Sequence, residues 1–172
     1  MYEFHTNKPW YFEMQYKNAK EFVIPFIEEY FRIGENIHVL EVGCAEGGVL
    51  KAFLDKGCTG VGVELEDGRL KMASEFLEKE VAAGTVKLIN KNIYDPSFET
   101  EFRNKFDLIV LKDVIEHIPN QEKILMEFQK FLKPGGNIFF GFPPWQMPFG
   151  GHQQLCKSFL SKIPYFHLLP MG

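Results

Sequence analysis

Glu41-Val42-Gly43-Cys44-Ala45-Glu46-Gly47-Gly48 is the stretch on which the fold turns. The run before it, Ile37–Val42, reads as a strand. Val49–Lys56 after it reads as a helix, ended by Gly57. Glycines between a strand and a helix let the backbone turn sharply and approach a ligand closely. The helix that follows offers unpaired N–H groups and the positive end of its dipole to an anion. A second acid, Glu64, ends the next strand, 21 residues beyond Gly43. An acid there commonly grips ribose hydroxyls.

Outward from this unit the pattern repeats. Thr59–Leu65 is a second strand, and Asp67–Ala83 a long helix with Leu70, Ala73, Phe76, Leu77 and Val81 facing inward. Val86–Asn90 and Phe106–Leu111 are the third and fourth strands, Asn120–Leu132 a helix, and Asn137–Phe142 the fifth strand. Strands alternating with helices predict an α/β fold: a Rossmann-like, doubly wound, mostly parallel sheet with helices on both faces. Residues 1–17 are rich in aromatics without a clean period. Asn18 is expected to cap a helix over Ala19–Arg32, with Phe22, Phe26, Ile27, Tyr30 and Phe31 on one side and Pro25 kinking it. Beyond Phe142 the pattern weakens to a loop and a short helix near Leu155–Lys162. The expected organisation is an N-terminal cover (1–36), a cofactor-binding core (37–142) and an acceptor-side loop and helix (143–172).

Composition narrows the class. The 172 residues suit one domain with a real core. Eighteen Phe, six Tyr and two Trp supply both core and pocket walls. A net charge of −4 without a basic stripe disfavours nucleic acid as the main partner. Cys44, Cys58 and Cys156 are scattered, with neither CxxC nor zinc spacing, so no metal is expected and a reducing cytoplasm is. The N-terminus lacks a signal-peptide pattern, and no run approaches the roughly 18 apolar residues of a membrane span.

The glycine turn also bears on the cofactor. A nicotinamide dinucleotide predicts GxGxxG, whose middle glycine makes room for pyrophosphate. Ala45 replaces that glycine. S-adenosyl-L-methionine has no pyrophosphate and accommodates the replacement more easily. The plainer alternative is a tight turn beside a solvated acid.

Five segments in order resemble the class I S-adenosylmethionine-dependent methyltransferases. Val39–Gly47 resembles motif I, and Val61-Gly62-Val63-Glu64-Leu65 the second-strand motif. Asn90-Lys91-Asn92-Ile93 resembles the adenine loop after strand three. Phe106–Val110 through Asp113–Ile118 resembles the fourth strand and its loop, and Leu132-Lys133-Pro134-Gly135-Gly136 the turn before strand five. The likeness spans roughly residues 37–142. It implies a transferase that moves a methyl group from S-adenosyl-L-methionine to an O, N or C atom of a small organic acceptor. It also implies roles. Gly43, Cys44, Ala45 and Gly47 would line the methionine and ribose part of the cofactor, with Glu41 near the methionine amino group. Glu64 would hold the ribose hydroxyls, with Leu65 against the adenine. Asn92 and Ile93 would meet the adenine edge, and Leu111 and Lys112 would close the pocket below the sulfonium. Ala45, Glu46 and Asn92 depart from the family pattern, and Glu46 brings a negative charge near the methionine carboxylate. The family's sheet has seven strands and five are legible here, so its C-terminal strands are expected to be missing.

If the acceptor is a hydroxyl or a protonated amine, a base is required. His152, in Gly150–Gln154, is the first candidate and His117 the second. Each has a bland alternative: a solvated loop histidine for His152, and packing over the cofactor or capping the helix at Pro119 for His117. The acceptor pocket is expected from Trp10, Tyr11, Phe12 and Tyr16, the loop after Asp113, and Phe142–His152. These aromatics would equally bury one another. Two rival readings are a non-catalytic S-adenosylmethionine-binding domain and an NAD-dependent oxidoreductase. Oligomeric state is not readable from the sequence.

Overall fold

The computed structural model describes residues 7–150 and 157–169. The chain divides into two compact units, Met1–Phe140 and Gly141–Gly172.

Five strands form one sheet in the order β3-β2-β1-β4-β5. They are β1 (His38–Val42), β2 (Thr59–Val63), β3 (Val86–Ile89), β4 (Phe106–Lys112) and β5 (Leu132–Gly141). The pairings β1–β2, β1–β4 and β2–β3 are parallel, with Leu40 opposite both Val61 and Ile109. The chain runs outward from β1 to β3 and then returns to β4 on the other side of β1. The loops leaving β1 and β4 therefore meet at one edge, the reversal point where open α/β sheets bind ligands.

Both faces of the sheet are buried, as the near-continuous apolar strands require. One face packs Val39, Leu108 and Val110 against Val23, Ile27, Leu50 and Phe53. The other packs Leu40, Val61, Ile109 and Leu111 against Phe98, Phe102, Phe128 and Phe131. The helices on these faces are α3 (Gly48–Leu54), α4 (Asp67–Phe76), α5 (Glu78–Ala82), α6 (Pro96–Phe102) and α7 (Gln121–Phe131).

The N-terminal helix departs from expectation. α1 runs over Lys8–Asn18, capped by Asn7, whose side chain accepts from the Trp10 N–H at 3.1 Å. Asn18 lies inside the helical run. A π-helical stretch, Ala19–Val23, joins α1 to α2 (Ile24–Glu28). Pro25 sits in the first turn of α2, where its missing N–H is tolerated. Each residue turns a helix by about 100°, so two apolar sets one residue apart lie on different faces. Ala19, Val23, Ile24 and Ile27 are buried, whereas Phe22, Phe26 and Tyr30 are exposed. Gly48 admits this helix: a Cβ there would lie 2.4 Å from the Phe12 carbonyl oxygen.

Two further differences are local. The expected helix Asp67–Ala83 breaks at Leu77 (φ −107°, ψ 23°), a wholly buried side chain, and Val81 is exposed. β5 begins at Leu132 rather than Asn137, and it contains Gly135 at φ +80°. In the smaller unit, 3-10 turns cover Phe159–Lys162 and Phe166–Leu168; the first falls within the expected helix near Leu155–Lys162, whose start lies outside the described residues. There the Trp145 and His167 rings meet edge-on, and the Tyr165 N–H donates to the Pro148 carbonyl.

Candidate functional site

The loop after β1 is fastened to the end of β2. The Gly43 and Cys44 N–H groups both donate to the Val63 carbonyl, at 2.8 and 3.0 Å. Gly43 has φ +72°, and a Cβ there would stand 2.6 Å from Val114 Cγ2. Only glycine fits beneath the loop that leaves β4. Ala45 takes φ +51°, a conformation costing an L-residue about 1–2 kcal/mol. Its N–H donates to Glu64 Oε2 at 3.0 Å, so the strained residue is held by the acid across the turn.

Glu64 organises the adjoining loop as well. Its Oε1 accepts from the Leu65 and Glu66 N–H groups at 2.8 and 3.0 Å. A carboxylate offers about four acceptor positions, and these bonds use three. Asn90, two residues before the expected adenine contact, donates from Nδ2 to the Glu64 and Leu65 carbonyls at 3.1 and 3.0 Å. It fixes the exit from β2, a role that sequence reading missed. Leu65 is 67 % exposed at this rim. Asn92 is exposed, and its Oδ1 accepts from the Tyr94 N–H at 3.0 Å in a local turn. The Ile93 side chain is buried in the core.

Two of the candidates have buried side chains. Cys44 is wholly buried, and its Sγ would lie 2.9 Å from a Cβ at Gly62, so the loop presents its backbone. Burial, reinforced by Glu41 and Glu64, pushes its thiol well up and away from the reactive thiolate. Leu111 is also wholly buried, among the aromatics of the second core, and can offer a ligand its backbone alone. Lys112 pairs with Asp113 at 2.5 Å.

Two acids beneath the loop differ sharply. Glu41 is buried, and its Oε2 receives no hydrogen bond. Burial pushes its carboxyl well above the usual range. A backbone bond at Leu50 and the charge of Lys112 pull the other way, and Glu64 adds to the rise. Glu46 is fully enclosed but compensated. Arg69 reaches it from α4 with Nε at 3.2 Å and Nη2 at 2.8 Å, and Lys8 from α1 at 2.9 Å. Burial raises this acid, but the hydrogen bonds from Arg69 and Lys8 outweigh it and hold the carboxyl below its usual range. The Arg69 guanidinium also lies 5.7 Å from the Tyr11 ring centre. The extra negative charge expected near the methionine end is thus neutralised by partners that no local spacing announces.

The aromatics expected to line an acceptor pocket are partly committed elsewhere. Phe12 packs on Phe76 at 4.8 Å, and Tyr16 donates to Asp55 at 2.8 Å. His117 lies exposed in a 3-10 turn, 3.9 Å from Glu116. His152 lies outside the described residues. Among the described residues, no group of His, Cys, Asp and Glu could hold a metal ion, and no helix is long and apolar enough to cross a membrane.

The parallel sheet with its glycine turn, acid-ended second strand and convergent loops defines a nucleotide-type cofactor domain. Residues 14–155 match the family described as a methyltransferase domain, and the chain belongs to that family. It is 27 % identical over 135 residues to the sterol 4-C-methyltransferase strm-1 of Caenorhabditis elegans, covering 78 % of this chain and 40 % of that protein. It is 28 % identical over 103 residues to a ubiquinone biosynthesis O-methyltransferase of Coxiella burnetii, covering 60 % of this chain and 42 % of that one. Among solved structures it resembles a Haemonchus contortus phosphoethanolamine N-methyltransferase 2, bound to phosphomonomethylethanolamine and S-adenosylhomocysteine. That match has a TM-score of 0.58 and 26 % identity, over 67 % of this chain and 26 % of that one. The chain spans about two fifths of the curated relatives it matches.

Proposed function

We propose that this chain carries the cofactor-binding part of an enzyme that transfers a methyl group from S-adenosyl-L-methionine to a small organic acceptor. The convergence of Glu41, the Gly43 turn and Glu64 at one sheet edge carries this reading. The residues present fit the cofactor. The unpaired Glu41 oxygen suits an ammonium group, and the remaining acceptor position on Glu64 suits a ribose hydroxyl. The exposed Leu65 suits the face of an adenine.

When bound, S-adenosylmethionine supplies an electrophilic methyl group. The chain's own work is to bind, orient and exclude water. Gly43, Cys44, Ala45 and Gly47 would lend backbone to the methionine and ribose, and Asn92 and Ile93 would meet the adenine. Lys112, with the backbone of Leu111, would floor the pocket. Acceptor-side residues would come from the loop after Asp113, with His117, or His152 outside the described residues, as candidate base. The net charge of −4 favours a small acceptor over nucleic acid, and the scattered cysteines favour a cytoplasmic setting. The relatives methylate carbon, oxygen and nitrogen, so likeness alone does not select the acceptor atom.

Calorimetric titration with S-adenosylmethionine, S-adenosylhomocysteine and NAD tests the reading. Binding of the first two without NAD is the expected result. Binding of NAD alone, or of none of them, overturns it.

A further inference from the structure

Glu116 occupies the turn that leaves β4, with its side chain 25 % exposed and its carboxylate turned inward. Both of its carboxylate oxygens are shut off from solvent and receive no hydrogen bond. An ionised carboxylate is an acceptor only, and buried polar groups are almost always satisfied. The adjacent cation-forming group, His117 Nε2, stands 3.9 Å from Oε1, beyond hydrogen-bond range. The turn itself is well fixed. The His117 N–H donates to the Val114 carbonyl at 2.9 Å, and Gln121 Nε2 to the Ile115 carbonyl at 3.0 Å. Val114, two residues before Glu116, is the side chain that covers Gly43. The acid thus lies in the same short turn as the side chain that covers Gly43, in the loop leaving the end of β4, where parallel strands end and ligands bind.

Resting on the function proposed above, we propose that Glu116 receives the methyl acceptor and that the acceptor atom bears a hydrogen, as a hydroxyl or an amine N–H. Glu116, in place of His152 or His117, accepts that hydrogen as a bond and then takes the proton. The acceptor's lone pair forms the new bond to the methyl carbon, while the old sulfur–carbon pair stays on sulfur. A thioether, a methylated acceptor and a protonated Glu116 result, and the proton leaves to water. An olefinic carbon has no such hydrogen to offer and would leave the carboxylate unsatisfied.

The test compares wild type with Glu116→Gln and Glu116→Leu. It uses thermal melting, S-adenosylhomocysteine titration, and turnover of catechol, phosphoethanolamine and a side-chain-unsaturated sterol. Removing an acceptor that receives no hydrogen bond should raise the melting temperature of both variants by about 2–4 °C. Affinity for S-adenosylhomocysteine should stay unchanged, and turnover of the catechol or the amine should fall about 100-fold or more. A lower melting temperature in both variants would show that the carboxylate already has protein partners and would overturn the proposal. So would undiminished turnover in Glu116→Gln, or a wild type that methylates the sterol alone. Failure of the wild type to bind S-adenosylhomocysteine would strike the functional reading instead. The melting comparison would still decide whether Glu116 awaits a donor.

Discussion

Arg69→Met removes the fork that compensates a fully enclosed acid. In the native chain Glu46 has no exposed side-chain surface, while Arg69 and Lys8 remain 27 % and 30 % exposed. Breaking a buried pair from one side costs about 3–5 kcal/mol, because the remaining charge is left uncompensated. Lys8 still holds Oε1 at 2.9 Å, and Arg69 is partly solvated, so the lower end applies: about 3 kcal/mol. For a chain of this size, that lowers the melting temperature by about 6–12 °C. The double variant Arg69→Met with Glu46→Gln, which removes both charges, should recover at least half of the loss. The pH dependence follows from the depressed Glu46 carboxyl. Its stabilisation is present above the unfolded carboxylate range and is lost as the pH falls through the lower folded value. Wild type and Arg69→Met should therefore converge in stability on acidification. Circular-dichroism melts from neutral to acidic pH provide the measurement. A single-variant shift below about 2 °C, or a double variant no better than the single, would refute the reasoning.

Gly43→Ala sets a Cβ 2.6 Å from Val114 at φ +72°, so it should destabilise by about 1–2 kcal/mol and sharply weaken S-adenosylhomocysteine binding. Normal affinity in calorimetry would mean the turn is not the cofactor cradle. Glu64→Ala deletes the acceptor of the Ala45, Leu65 and Glu66 N–H groups; cofactor affinity should fall by about 1.5–3 kcal/mol, and an unaltered Kd would remove Glu64 from the site. Glu41 is held protonated above the usual carboxylate range, so it favours the fold below its unfolded pKa, and that contribution disappears as the pH rises through the folded value. A bound ammonium would favour its charged form; cofactor binding should then release a proton and tighten with rising pH across that interval. Equal calorimetric enthalpies in buffers of different ionisation heat would contradict this.

The βα alternation, the glycine turn and the acid at the end of β2 are legible in the chain because each is local. A strand followed by a tight turn and a helix declares itself within a few residues, as do Gly43 and Glu64. The helix face before β1 is not legible: Ala19, Val23 and Ile27 recur every four residues and so do Phe22, Phe26 and Tyr30, and only packing against the core decides that the first set is the buried one. Leu111 and Cys44 read as pocket residues from their place in a motif, yet the pleat and the neighbouring strand turn both side chains into the interior. The compensation of Glu46 depends on partners 38 and 23 residues away, on two helices whose spacing shows no sign of it. The lack of a donor for Glu116 is equally invisible, because satisfaction of a polar group belongs to three-dimensional surroundings. Sequence determined the βα pattern and the turn that the cofactor would occupy, since these follow from short-range backbone chemistry. Tertiary structure alone decided which acids are neutralised and which wait for a partner, since burial and pairing depend on segments that meet only when the chain is folded.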